Sequence, residues 1–174
     1  MLSVDVNIKY REVFIKYLLL LNKLIEKAES CSVNESEFLN ARIFDDMFPL
    51  NVQAKIATNF ALRACNPVSG KEYQELDADI ESFNGIKMHI AFTIDCINKL
   101  TPPTKEQLAL NVKDMAGFEE ISFSCSEYVS SFALPNFFFH LSMVYAIAKS
   151  HGVPVSKGDF DGLHQYPKGF SWES

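Results

Sequence analysis

The residues best placed for chemistry lie in the run 134–140, which reads LPNFFFH, and in one glutamine far upstream. On an α-helix Asn136 and His140, four positions apart, point the same way. Gln53 is the lone polar member of a face otherwise made of Leu50, Ala54, Ala57, Phe60, Ala61 and Ala64. An imidazole and two carboxamides directed into one interior permit two kinds of chemistry. They can share a ligand or a cation, or they can satisfy one another as a buried hydrogen-bond network in which the histidine is a core group. Met143 belongs to the same candidate pocket, since it follows His140 by three positions.

Other candidates are weaker. Asp45 and Asp46 look like paired acids, but adjacent residues splay apart, so a turn role is expected. His89 falls beside the apolar stripe of its helix, and His151 and His164 lie at or beyond the end of the last one. The chain holds no Gly-x-Ser-x-Gly elbow, no phosphate-binding Gly-x-x-x-x-Gly-Lys loop and no His-Glu-x-x-His pair.

The elements that position these residues read as helices. Tyr10, Phe14, Tyr17, Leu21, Leu24 and Ala28 recur every three or four residues and make one stripe. The pattern predicts long helices over about 9–29, 49–65, 78–100 and 125–151, and a C-terminal tail over 153–174. Asn34 with Glu37 predicts a cap and a short turn, Pro49 opens the second long helix, and Ser124 with Glu127 forms a capping box for the fourth. Gly152 and Pro154 stop that helix. Ile80, Phe83, Lys87, Ile90, Ile94 and Ile97 mark the third stripe. On the fourth, Phe132, Asn136, Phe139, His140, Met143 and Ile147 are expected inward, with a kink at Pro135. Between the third and fourth helices, 108–112 and 120–123 around Gly117 predict a small β-hairpin. The whole is an all-α single domain, a four-helix bundle.

Composition bounds the rest. A chain of 174 residues folds as one domain and buries roughly 70% of its unfolded surface. Four cysteines about 30 residues apart, with no Cys-x-x-Cys pair, point to reduced thiols and a cytoplasmic location. The apolar run 17–21 is too short for a signal core or membrane span. The net charge of −6 and scattered basic residues argue against nucleic acid. Three consecutive helical phenylalanines cover about 200° of a helix circumference, so Phe137, Phe138 and Phe139 cannot all face one core. With Phe139 inward, Phe137 or Phe138 needs another cover. A second copy in a two-fold homodimer is the expected one, and the tail residues Leu163, Tyr166, Phe170 and Trp172 are the alternative.

The run 134–140, the later Gly152-Val153-Pro154 with Lys157, Asp159, Phe160 and Gly162, and Asp46-Met47-Phe48-Pro49-Leu50 with Gln53 resemble the DinB/YfiT-like superfamily of bacterial four-helix bundles. They resemble most a family of unknown function within it that carries the LPNFFFH helix. The resemblance implies a site where the wider superfamily holds a divalent metal through one histidine of the second helix and a His-x-x-x-His pair of the fourth. His140 matches the second histidine of that pair, Asn136 the first and Gln53 the helix-two ligand. Two of three ligands are then carboxamides, which bind zinc or nickel poorly. The expectation is no resident metal, or at most a weakly bound divalent cation at His140. The functions in view are a non-catalytic or small-ligand-binding bundle, a metal-dependent small-molecule or thiol transferase or isomerase, and a purely structural protein; enzymatic activity is left undecided.

Overall fold

The computed structural model describes residues 4–31, 33–71, 76 and 80–167, with side chains from residue 9. Its long helices are α1 (Val4–Ser30), α3 (Leu50–Val68), α4 (Phe83–Asn98) and a continuous helix, Cys125–Ser150, built from α6 (Cys125–Glu127), a π-helical segment (Tyr128–Ala133) and α7 (Leu134–Ser150). Short helices α2 (Glu35–Leu39), α5 (Lys105–Ala109) and α8 (Lys157–Asp161) fill the connections. The fold is the expected DinB-like helical bundle with a small hairpin.

The bundle is organised around α3, which packs most extensively on α7 and also on α4. Its small residues Ala54, Ala57, Ala61 and Ala64 are all buried and let neighbouring backbones approach. From α1, Phe14, Leu18, Leu21, Leu24, Ile25 and Ala28 enter the core. Arg11 fixes one end of the bundle by donating to the Leu100 carbonyl at 2.9 Å, the Thr101 carbonyl at 2.7 Å and the Ser69 hydroxyl. A cation there meets the negative ends of α3 and α4.

The predicted caps act as expected. The Asn34 side chain accepts from Glu37 N–H, and Ser124 and Glu127 form their capping box. Pro49 stands at the N-cap of α3 with extended backbone. The third long helix is shorter than predicted: it opens at Phe83 because the Ser82 side chain accepts from Gly85 N–H, while Glu35 Oε1 takes Phe83 N–H at 2.6 Å. Positions 78–79 of the prediction lie outside the described residues. Its inward face is also corrected. Ile86, His89 and Thr93 are buried with Phe83, Ile90 and Ile97, whereas Lys87 turns out to pair with Glu29 at 2.7 Å.

The fourth helix differs most from its prediction. The π-helical segment breaks the α spacing only between Phe132 and Asn136, and within the regular α7 the buried stripe runs one residue later than the expected one. Its buried positions are Cys125, Tyr128, Val129 and Ala133, then Phe137, Leu141, Val144, Ile147 and Ala148. Asn136, His140 and Met143 are only half-buried, and Phe139 is 52% exposed rather than inward. Pro135, where a kink was expected, stands in the first turn of α7 directly after the π-helical segment, and the helix continues through it.

The phenylalanine run is thereby sorted. Phe137 packs edge-on to Phe14 at 5.0 Å, and Phe138 edge-on to Tyr17 at 4.8 Å. Tyr17 in turn meets Phe160 of α8 at 5.8 Å, so the tail helps to cover the run. Both Phe137 and Phe138 are thus covered within the chain. Of the tail residues named above, Leu163 is 70% exposed, and Phe170 and Trp172 lie outside the described residues.

The hairpin pairs β1 (Asn111–Ala116) with β2 (Glu119–Ser124), Val112 opposite Phe123 and Asp114 opposite Ile121. Leu108 belongs to α5 instead, whose Thr104–Gln107 capping box opens one helical turn. Gly117 turns the chain with a positive φ of 65°.

Candidate functional site

Gln53 sits in the first turn of α3, where its N–H bonds to the Pro49 carbonyl at 2.9 Å. It is 1% exposed. Its side-chain Nε2 donates to the Phe48 carbonyl at 3.2 Å, and its Oε1 lies 2.6 Å from His140 Nδ1. These two bonds fix the proton on the imidazole. An amide turned the other way would set its oxygen against the Phe48 carbonyl, two acceptors facing each other. The amide oxygen therefore faces His140, Nδ1 carries the hydrogen, and Nε2 presents a lone pair.

Burial lowers the His140 pKa from 6.5 to about 4, so the ring is neutral near pH 7. It stacks on Phe60 at 5.8 Å and 17°, and Phe139 meets it edge-on at 5.2 Å. The site is thus an uncharged acceptor among aromatic rings, flanked by the half-exposed Phe139.

Asn136 does not complete a triad. Its Nδ2 donates to the Phe132 carbonyl at 2.8 Å, one turn back, at the end of the π segment. An asparagine inside a helix can bond the carbonyl four residues back in this way. Gln53 and His140 thus come together, and Asn136 turns its amide to its own helix. Met143 lies half-buried one turn beyond His140 on the same flank.

A second polar cluster adjoins this site. The Arg63 guanidinium lies 4.7 Å over Phe60 and 5.7 Å over Phe132. It grips Asp114 of β1 with two bonds, Nε to Oδ2 at 3.0 Å and Nη2 to Oδ1 at 2.6 Å, and donates to the Met115 carbonyl at 2.9 Å. The Tyr128 hydroxyl also donates to Asp114. Burial acts against the carboxylate, but the bonds from Arg63, Tyr128 and Met115 N–H outweigh it and hold the Asp114 pKa below its usual value. Burial and the adjacent carboxylate push Tyr128 up, so its hydroxyl stays protonated. The one signal in sequence was Arg63 itself, a charge in an alanine-rich buried helix that needs a partner. Asp114 and Tyr128 had none.

The remaining candidates fall elsewhere. Asp45 and Asp46 are exposed turn residues. His89 is buried on α4, His151 packs edge-on to Phe38, and His164 pairs with Asp161 in the tail. Burial raises the Cys65 thiol to about 12, which removes it as a nucleophile.

The donor set does not fit the metal centre that the resemblance implies. A cation at His140 Nε2 lies across the ring from Nδ1, the atom Gln53 Oε1 contacts, so the glutamine orients the imidazole and cannot ligate beside it. Asn136 is held by its own helix. Among the described residues no three His, Cys, Asp or Glu side chains gather within ligand reach.

Comparison with known proteins agrees with this architecture. Residues 9–161 match a family described as a domain of unknown function, DUF1993. A DinB family member protein from Shewanella denitrificans has a similar structure, with a TM-score of 0.78 and 22% identity over 95% of this chain and 99% of that one. No curated protein matches the chain.

Proposed function

The chain belongs to the DUF1993 family, a family of unknown function, and from that premise we propose that it is a non-catalytic, small-ligand-binding bundle whose site keeps the place of a metal centre without its chemistry. The observation that carries this reading is the 2.6 Å bond between His140 Nδ1 and Gln53 Oε1. It spends the glutamine on orienting the ring and leaves Nε2 as an acceptor. A suitable ligand is uncharged, donates one N–H or O–H to Nε2, and lays a flat face against Phe139. The neutral imidazole gives no attraction for anions.

The competing reading, a metal-dependent transferase or isomerase, requires a cation at His140. Elemental analysis of protein purified without an affinity tag separates the two. We expect zinc and nickel far below one equivalent per chain, and a ¹⁵N spectrum in which the Nδ1–H tautomer of His140 dominates. Near one equivalent of either metal, lost in His140→Ala, would overturn the proposal and restore the enzyme.

Two further parts of the reading concern setting. A cytoplasmic location is supported by four unpaired cysteines. A homodimer is supported by Phe139, Phe48 and Phe44, each more than half exposed, at 52%, 56% and 65%. In this assembly Phe139 replaces Phe137 and Phe138 as the aromatic that needs a cover.

A further inference from the structure

Ser142 and Tyr145 stand roughly 200° and 140° around α7 from His140, and with Lys157 and Phe160 of α8 they line a groove of about 190 Å3. The groove is open and its wall is apolar. Phe138 meets Tyr17 at 4.8 Å, Tyr17 meets Phe160 at 5.8 Å and Phe160 meets Tyr145 at 5.8 Å, so the rings run in sequence to its edge. Tyr145 and Phe160 are only half-buried there. An aromatic wall left half in water calls for an apolar occupant.

The chain itself is led to this place. Gly162 ends α8 with a positive φ of 70°. The Asp161 carboxylate then accepts the N–H groups of Leu163 at 2.8 Å and His164 at 3.0 Å, which turns the chain back. The returning segment lies directly on α8, where the His164 carbonyl occupies the place a Cβ on Gly158 would need, a close approach that only glycine permits. Tyr166 comes beside the groove, since burial, Asp159 and Tyr166, in that order, raise the pKa of the Tyr145 hydroxyl. The described residues end one position later, at Pro167.

Residues 168–174, outside the described part, read KGFSWES. At roughly 3.3–3.6 Å per residue, Trp172 has a reach of about 17 Å from Pro167. An apolar cavity of about 150 Å3 holds benzene, so an open groove of about 190 Å3 takes the larger indole with its N–H at the solvent edge. Charge selects Trp172 over Phe170, because Glu173 follows the tryptophan and no charged residue adjoins the phenylalanine. The basic groups nearby are otherwise engaged, Lys27 by Asp159 and Lys149 by the Val155 carbonyl. Lys157 stands exposed at the groove and is the cation Glu173 can meet.

We infer that the groove between α7 and α8 is the docking site of the chain's own segment 168–174, with the Trp172 indole against Tyr145 and Phe160 and the Glu173 carboxylate on Lys157. Docking completes the cover of the aromatic run that Phe138 begins. It does not involve His140 and stands whether or not the reading of that residue holds.

Trp172 is the only tryptophan in the chain, so its fluorescence tests the assignment directly. In the full chain its emission maximum is expected to the blue of that of the free peptide KGFSWES, with weaker quenching by acrylamide. In isotope-labelled protein the indole should show nuclear Overhauser contacts to the rings of Tyr145 and Phe160. Lys157→Glu, at an exposed position, should lower the ratio of docked to undocked indole about threefold, within the range of an exposed ion pair, and Lys157→Glu combined with Glu173→Lys should restore it. Both variants should leave the rest of the spectrum unchanged. An indole quenched as freely as in the peptide, ring contacts from Phe170 in place of Trp172, contacts found only between labelled and unlabelled copies in a mixed sample, an unaltered ratio in Lys157→Glu, or no recovery in the charge swap would each overturn the inference.

Discussion

Two polar clusters hang from the same helix, α3, and share one ring. Phe60 stacks on His140 at 5.8 Å and carries the Arg63 guanidinium over its face at 4.7 Å. The Arg63–Asp114–Tyr128 cluster uses both oxygens of its carboxylate and locks the hairpin to the bundle. The Gln53–His140 pair joins a buried amide to a half-buried ring, and its bond through Nδ1 leaves the Nε2 lone pair unused by Gln53. The difference teaches how to sort buried polar groups. A cluster that closes on itself stabilises, because each desolvated group has a partner. A pair that ends on a lone pair gives up part of that stabilisation and gains the ability to bind.

The contrast can be tested first where the largest effect is expected. Asp114→Ala strands Arg63 and Tyr128 together, and an isolated two-stranded hairpin is marginal in water. With the ion pair about one-fifth exposed on each side, the loss expected by urea denaturation is about 3 kcal/mol, below the upper range for a fully buried pair. A loss under about 1 kcal/mol would show that the cluster is a surface ornament and the contrast unreal.

A middle-sized effect belongs to His140. Its folded pKa, about 4, lies below the ordinary 6.5, so the unfolded chain takes up the proton first as pH falls. The stability from this group is complete above about pH 6.5, declines between 6.5 and 4, and changes no further below that. Allowing for partial exposure, the decline is about 2 kcal/mol. Asp114, whose pKa is lowered, loses its contribution in a separate window below the usual carboxylate range. Denaturation midpoints from pH 7.5 to 4 should slope in the parent and lie flat over that window in His140→Phe. Equal slopes in the two proteins would mean that His140 titrates as an exposed residue.

The smallest effect on stability is expected at Phe139, half exposed at the mouth of the His140 site. Phe139→Ser should change unfolding free energy by less than about 0.5 kcal/mol. It should nonetheless shift the mass measured by light scattering at micromolar concentration from dimer to monomer. A parent that is already monomeric would remove the dimer from the proposal and leave Phe139 as a wall of the ligand site alone.

Much of this was legible beforehand for particular reasons. Asn34, Ser124 and Gly152 act through neighbours within a few residues, so their caps and stops could be read directly. The face of α3 that holds Gln53 followed from one unbroken period of alanines. The same counting failed on the fourth helix because two stripes one residue apart, Asn136-His140-Met143 and Phe137-Leu141-Val144, both repeat every three or four positions, and which of them faces the core is decided by packing. Phe139, expected inward, is half exposed, and Phe137, one of the two phenylalanines expected to need another cover, is a core residue. His89 was set aside because Lys87 was assigned to the stripe, yet its long chain reaches Glu29 from the flank.

The sequence alone determined the helices, the caps and the aromatic abundance, since these depend on spacing within one helix and on which faces are apolar. Only the tertiary structure decided that Asn136 serves its own backbone, that Gln53 orients the imidazole rather than joining it, and that Arg63 finds Asp114 from 51 residues away. The physical reason is the same in each case. A polar side chain chooses among partners by hydrogen-bond geometry at about 3 Å, and that geometry exists only after the helices have packed.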